Sequence, residues 1–216
     1  MAPALLPSLP ALRQLLLERF PPAIRAAGAA LATGIPALDD PTGGLPCPGV
    51  TELVCSAPSC GSHLFLTQVL RAARARYLRV ALIDRDDTFD PAAWPAAALD
   101  HIVWVRVRHA AEAMAAADLL AHDTNLGLVA IDLRHAAPAE LRQIPARHWY
   151  RLQRAIEPGT LACLVLTPQA LVPCAGLRLE LPASHRLAAL HDPRPQLAAA
   201  LAPVFVKQRV LSVVAG

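Results

Sequence analysis

The stretch Gly49-Val50-Thr51-Glu52-Leu53-Val54-Cys55-Ser56-Ala57-Pro58-Ser59-Cys60-Gly61-Ser62-His63-Leu64-Phe65-Leu66 decides the fold. Val50 to Cys55 is a short apolar run of strand length, Ser56 to His63 is made of small residues and one glycine, and Leu64 to Arg76 has the length and composition of a helix. The pattern recurs. Val80 to Ile83, Leu126 to Ile131 and Leu161 to Leu166 read as further strands, with Ala110 to His122 and Ala146 to Ile156 as helices among them. Strands alternating with helices imply parallel crossovers, hence an α/β fold with a mostly parallel central sheet flanked by helices. Weaker strands are expected at His101 to Val107, Leu177 to Leu181 and Val204 to Val214, with a proline-rich connection from His191 to Pro203.

The composition supports this outline. In 216 residues, 55% hydrophobic and 17% charged, there is enough apolar surface for a real core, so disorder is excluded as the main state. No uncharged apolar run approaches the length of a membrane span, which leaves no membrane partner in the expectation. The first residues carry no Lys or Arg before Arg13 and no cleavage pattern of a secretory signal. With five cysteines in no regular framework, a cytoplasmic protein is expected. Residues 1–30 read as an N-terminal helical arm, its Leu12, Leu15 and Leu16 on one face before Pro21 and Pro22, and residues 31–216 as the core with a C-terminal tail segment.

The loop after the first strand lies where parallel sheets bind ligands, at a strand's carboxyl end. A phosphate-binding loop there has the form G-x-x-x-x-G-K-[ST]. Ser56 stands for the first glycine, Gly61 for the second, Ser62 for the lysine and His63 for the hydroxyl residue that holds Mg²⁺. Frame and chemistry therefore separate. The β- and γ-phosphates lack their lysine, and Lys207, the only lysine in the chain, is remote in sequence. ATP and Mg²⁺ are disfavoured on these grounds, and no cofactor, metal or catalytic activity is expected.

The sequence around the loop resembles a family. Thr33-Gly34-Ile35-Pro36-Ala37-Leu38-Asp39, then Gly43-Gly44-Leu45-Pro46 and Gly49 to Leu53, are similar to the approach to the nucleotide loop in RecA-family recombinases. Ala81 to Pro91 resembles the strand that ends in their catalytic glutamate, with Asp86 at that place. Leu128 to Asp132 resembles their Walker B strand, and Leu164 to Gln169 the strand ending at their nucleotide-sensing glutamine. The resemblance covers about residues 31–181 and implies a RecA-like core. Within that superfamily, the eroded loop and the short chain are most similar to the ImuA family. Membership would imply an accessory role in error-prone translesion synthesis, with an ImuB-like polymerase, a DnaE2-type polymerase and RecA as partners, and with Ser56, Ser59, Gly61, Ser62, His63, Asp86, Asp132 and Gln169 as a vestigial nucleotide site. The rival reading is an active nucleotide-dependent recombinase paralogue using those residues.

Other groupings are weaker. Cys47, Cys55, Cys60 and His63 match no zinc-ligand spacing, and the adjacent Ser62 and His63 make a poor start to a triad with Asp132. Clustered Asp84, Asp86 and Asp87 read as a solvated loop. The charge distribution carries more. Arg134, Arg142, Arg147, Arg151 and Arg154 face only Glu140 in their stretch, although the whole chain sums to +3. On a helix, Arg147, Arg151 and Arg154 share a face, and Trp149 and Tyr150 beside them suggest phosphates and exposed bases of single-stranded DNA, or an acidic protein surface. Arg71 and Arg74 form a second basic group, and Phe205, Lys207 and Arg209 a mixed basic and apolar tail suited to strand addition. The residues after Gln169, in the region of a second DNA-binding loop, are few and uncharged. Phe20 with Ala23 fits a short F-x-x-A assembly motif that Phe89 with Ala92 fits as well, so the match discriminates little.

Overall fold

The computed structural model describes residues 29–208, and within them the expected α/β architecture is present. A small antiparallel sheet comes first, pairing β1 (Ala29–Leu31) with β2 (Leu45–Cys47). The central sheet has seven strands: β3 (Gly49–Val54), β4 (Arg79–Asp84), β5 (Ile102–Arg106), β6 (Leu126–Asp132), β7 (Ala162–Thr167), β8 (Leu177–Glu180) and β9 (Val204–Gln208). Their spatial order is β5-β4-β6-β7-β3-β8-β9, all parallel except β9, which runs antiparallel to β8 along one edge.

Helices cover both faces. Helix α2 (Ser62–Ala75), following α1 (Pro36–Thr42), buries Phe65, Leu66, Val69, Leu70 and Ala73 on one face, against Leu53, Leu82, Leu164 and Leu166. On the other, α3 (Ala110–Leu120) and α5 (Ala146–Ile156), the latter preceded by the short α4 (Pro138–Leu141), pack Met114, Trp149, Leu152 and Ile156 over Ile83, Val129, Ile131 and Val165. Alternate residues of a strand point to opposite faces, so a strand covered on both sides reads as a continuous apolar run. All seven residues of β6 are buried for this reason. Short α6 (Arg194–Ala199) packs against α2.

The turn-rich segment from Thr33 to Gly49 holds more order than its glycines and prolines suggest, including α1. Asp39 organises it: its carboxylate accepts from Thr33 N–H at 2.8 Å, Thr33 Oγ1 at 2.8 Å and Gly34 N–H at 2.8 Å. Gly44 is required, at φ 119°, because a Cβ there would lie 2.0 Å from the Leu31 carbonyl oxygen. The first strand takes in Ala29 and Ala30, so those two residues belong to this small sheet. The expected arm helix with Leu12, Leu15 and Leu16, the Phe20 and Ala23 pair, Arg209 and the rest of the tail to Val214 lie outside the described residues.

Candidate functional site

Register brings the chemistry-bearing strand ends together. Asp84 at the end of β4 lies opposite Asp132 at the end of β6, and Val54 at the end of β3 lies between Thr167 and Glu180. From β3 the chain enters the degenerate loop, which turns on positive φ at Ser59 (52°) and Gly61 (83°) before α2 begins at Ser62. Gly61 holds a backbone conformation that side chains rarely adopt, and a Cβ there would meet the ends of the His185 and Leu201 side chains at 2.7 Å.

The centre of this edge is occupied by Arg134, two residues beyond Asp132. Its Nε donates to Asp132 Oδ1 at 2.8 Å and its Nη2 to Asp132 Oδ2 at 2.5 Å, a bidentate pair with side chains only 5% and 4% exposed. The same guanidinium donates to Ser62 Oγ at 2.7 Å, to His63 Nδ1 at 3.2 Å and to Thr88 Oγ1 at 3.5 Å. An arginine donates only, so His63 accepts at Nδ1 and carries its proton on Nε2. Burial, then the charge of Arg134, hold the His63 imidazole below its ordinary pKa, in keeping with a neutral ring. Every nitrogen of the guanidinium is thus committed to the protein itself.

The outer side of the loop is fastened as well. Ser56 Oγ donates to Glu180 Oε1 at 2.8 Å, Ser184 Oγ to the Pro58 carbonyl at 2.6 Å, and His185 N–H to the Ser59 carbonyl at 3.0 Å. Ser62 and His63 thus both accept from Arg134, and Asp132 is paired with the same guanidinium.

The remaining acids are engaged elsewhere. Asp84, 1% exposed, accepts from the backbone N–H groups of Thr88 at 3.1 Å and Phe89 at 2.9 Å and from Trp104 Nε1 at 3.3 Å, shaping the loop after β4. Asp86 pairs with Arg85, which also donates to Glu140 Oε2 at 2.6 Å, and Glu140 Oε1 accepts from Ala110 N–H at 2.6 Å at the start of α3. Gln169 is exposed on the loop after β7. Among the described residues no three His, Cys, Asp or Glu side chains are grouped to hold a metal ion.

Glu52 is the residue that sequence reasoning passed over. It is a fully buried carboxylate in the middle of β3, accepting at Oε1 from Thr167 Oγ1 at 3.1 Å and from the N–H groups of Leu171 at 2.6 Å and Val172 at 3.0 Å. Its other oxygen accepts from Arg178 Nε at 2.5 Å, and Arg178 also donates to the Val172 carbonyl at 2.8 Å. The loop after β7 is thereby folded onto the sheet, with Val172, Cys174 and Ala175 buried. A glutamate in an otherwise apolar strand was the available signal, since a buried charge implies a partner.

The basic face of α5 is present, with one correction. Arg142, Arg147 and Arg154 are exposed, and Arg151, 64% exposed, is clamped to Asp118 of α3 through Nε to Oδ1 at 2.5 Å and a second bond from Nη2. Trp149 is not beside them. It is 1% exposed in the core, because helical spacing turns residue 149 with Leu152 and Ile156 toward the sheet, and Tyr150 is the aromatic at the surface.

Arg71 lies over the Trp94 ring at 5.6 Å in a cleft of about 590 Å³ between α2, the Phe89 to Trp94 segment and residues 185–197, while Arg74 is half-buried. On β9, Val204 and Val206 face outward, Phe205 packs toward the core, and Lys207 Nζ donates to the Pro173 carbonyl at 3.2 Å.

In comparison with known proteins, no family model matches the chain, and no curated protein does. The chain is an α/β protein with a mostly parallel seven-stranded sheet. None of its helices, among the described residues, is long and apolar enough to cross a membrane.

Proposed function

We propose that this chain is a non-catalytic adaptor of the ImuA type, a RecA-like core serving error-prone translesion synthesis in the cytoplasm, where it joins an ImuB-like polymerase to a DnaE2-type polymerase and engages RecA. The observation that carries the reading is Arg134: the guanidinium that fills the edge of the sheet is held by Asp132, Ser62, His63 and Thr88, so the cation at this edge is structural and not a phosphate ligand. Hydrolysis needs a mobile substrate phosphate and a free cation to stabilise it, and a fastened loop supplies neither. Binding is then left to the surface. Two surfaces support it: the arginines of α5 and the outer edge of β9, whose exposed Val204 and Val206 suit strand addition. With Trp149 inside the core, the aromatic left at the α5 surface is Tyr150, so this face offers guanidinium groups and one phenol ring to an acidic protein surface or to single-stranded DNA.

The experiment is recovery of the tagged full-length protein from its host after DNA damage, with identification of what co-purifies, alongside a Mg·ATP hydrolysis assay of the purified chain. Co-purification of the polymerases with no saturable hydrolysis is expected. Saturable hydrolysis abolished by Asp86→Asn would overturn the adaptor in favour of a nucleotide-dependent paralogue. Salt-sensitive single-strand binding without either polymerase would overturn it in favour of a DNA-binding module.

A further inference from the structure

The cleft that holds Arg71 and Trp94 measures about 590 Å³, the size of a preformed binding site, and its floor is apolar. Leu66, Leu70 and Phe89 are buried along it, and Leu197 and Trp94 are half-buried at its sides. Residues 185–197 form one wall, and that wall is anchored. Ser184 Oγ donates to the Pro58 carbonyl at 2.6 Å, His185 N–H donates to the Ser59 carbonyl at 3.0 Å, and α6 packs on α2. Leu187, which opens the 3₁₀ turn Leu187–His191, lines the same cleft yet is 84% exposed. The apolar surface therefore runs out of the cavity into solvent, as it does where a second protein docks.

The charges that line the cleft are unbalanced. Arg71, Arg186 and Arg194 stand against Asp90 alone, and among the described residues none of these arginines is paired with a carboxylate. All three are exposed, and Arg71 lies over the Trp94 ring at 5.6 Å. That ring restrains a long side chain in advance, so less freedom is lost when its guanidinium closes on a carboxylate. Asp90 is engaged with its own turn, accepting from Ala92 N–H at 3.0 Å, and Asp192 does not line the cleft. A guanidinium rim over an apolar floor is complementary to a segment whose apolar anchor is flanked by Asp or Glu. The ends of this chain have the wrong charge for that role. Residues 1–28 carry Arg13, Arg19 and Arg25 against Glu18, and residues 209–216 carry Arg209 and no acidic side chain. Single-stranded nucleic acid is also a poorer match, because Phe89 is buried and Trp94 alone is left to stack on, where successive bases need several rings.

We infer that this cleft docks an acidic segment of a partner protein, its apolar anchor seated between Leu70, Trp94 and Leu197 and its flanking carboxylates on Arg71, Arg186 and Arg194. Leu187 extends the apolar contact beyond the cavity. The arginines set the sign of the partner and steer its approach, and the apolar floor holds what has arrived. The site is separate from the arginines of α5 and from the edge of β9. It goes beyond the adaptor reading and does not rest on it, since the purified chain and synthetic peptides are enough to test it.

The test measures the binding of three sets of fluorescein-labelled octapeptides to the full-length protein by fluorescence anisotropy. Every set carries all pairings of Leu, Phe and Trp at the two central positions, flanked by Asp and Glu in the first set, by Ser and Gln in the second and by Lys in the third. Members of the acidic set alone should bind, with an affinity that falls as salt is raised. Arg71→Glu with Arg186→Glu should weaken that binding by about tenfold or more, and Leu187→Ser by roughly fivefold. Arg147→Glu with Arg154→Glu, on α5, should leave it unchanged. A melting curve checks that each variant is folded. No binding by any acidic peptide, equal binding of the neutral set, or full affinity in either folded cleft variant overturns the proposal. Displacement of the peptide by an equal concentration of octanoate would replace it with a pocket for small carboxylates. Oligothymidylate bound more tightly than the peptides, and lost in the same cleft variants, would replace it with a nucleic-acid site.

Discussion

Arg134, at the carboxyl edge of the sheet, and Arg178, in mid-sheet, turn their guanidinium groups inward onto buried Asp132 and Glu52, whereas on α5 Arg147 and Arg154 stand in solvent with no carboxylate paired to them among the described residues. The difference is one of alternatives. A buried guanidinium has exchanged water for fixed acceptors, and it holds its loop because leaving would strand the partner carboxylate. An exposed guanidinium remains hydrated and is available to whatever anion arrives. Arginine thus fixes structure inside this molecule and offers binding on its surface.

The sharpest way to break the comparison is to delete the inner cation. Arg134→Ala leaves Asp132 buried without its charge partner and removes a donor from Ser62 and His63, and it should cost about 3–5 kcal/mol. That corresponds to a fall in Tm of roughly 6–20 °C for a chain of this size. Arg134→Met with Asp132→Leu, which removes both charges together, should be much milder. If Arg134→Ala melts like wild type, Arg134 is not holding the edge, and a nucleotide-binding loop becomes tenable again.

Glu52→Gln comes next. It keeps the shape of the side chain but discards the charge facing Arg178, which is 18% exposed and can turn toward water, so about 2–3 kcal/mol is expected. The loss should be local. Hydrogen exchange should accelerate first at the Leu171 and Val172 amides, which bond to Glu52 Oε1. Uniform acceleration over the whole sheet would show that Glu52 serves the core and not the loop.

These two carboxylates also mark how far the sequence could be read. The parallel sheet was legible because β3, β4, β6 and β7 are short apolar runs separated by helical stretches, and helices α2, α3 and α5 fell where their composition put them. The strand–loop–helix unit of residues 49–75 was legible because its strand, small residues and helix follow in order. Arg134 was read only as one of a basic stretch: nothing local says that a side chain two residues past a strand will fold back 71 and 72 positions away onto His63 and Ser62. Trp149 failed for the opposite reason. Being adjacent to arginines in sequence placed it on the wrong side of a helix whose 3.6-residue period turns it to the core.

A third prediction uses acid. The folded-state pKa values of His63 and His101 are both held below the ordinary 6.5, chiefly by burial. Below 6.5 the unfolded chain therefore binds protons that the folded chain refuses, so stability should decline as pH falls from about 7 toward the depressed folded values, and be fully present above. His63→Gln should flatten that decline, measured as Tm against pH. An unchanged slope would mean that the fold does not hold the His63 pKa below its ordinary value.

The smallest effect on the fold should come from the outer arginines, and this is what makes them informative. Arg147→Glu with Arg154→Glu alters only solvated positions, so the melting temperature should stay within the few tenths of a kcal/mol typical of surface changes. Arg151→Ala should likewise leave the melting temperature nearly unchanged, since its pair with Asp118 is largely exposed on the arginine side. Binding should behave in reverse. If α5 docks an acidic protein surface, reversing two charges should cut the association rate steeply and make the residual interaction insensitive to salt, because steering depends on the sign of the patch. Retained recovery of the polymerases by a folded Arg147→Glu, Arg154→Glu protein would move the contact off α5 to the exposed edge of β9. There a substitution of Val206 by proline would deny the backbone N–H that an added strand requires.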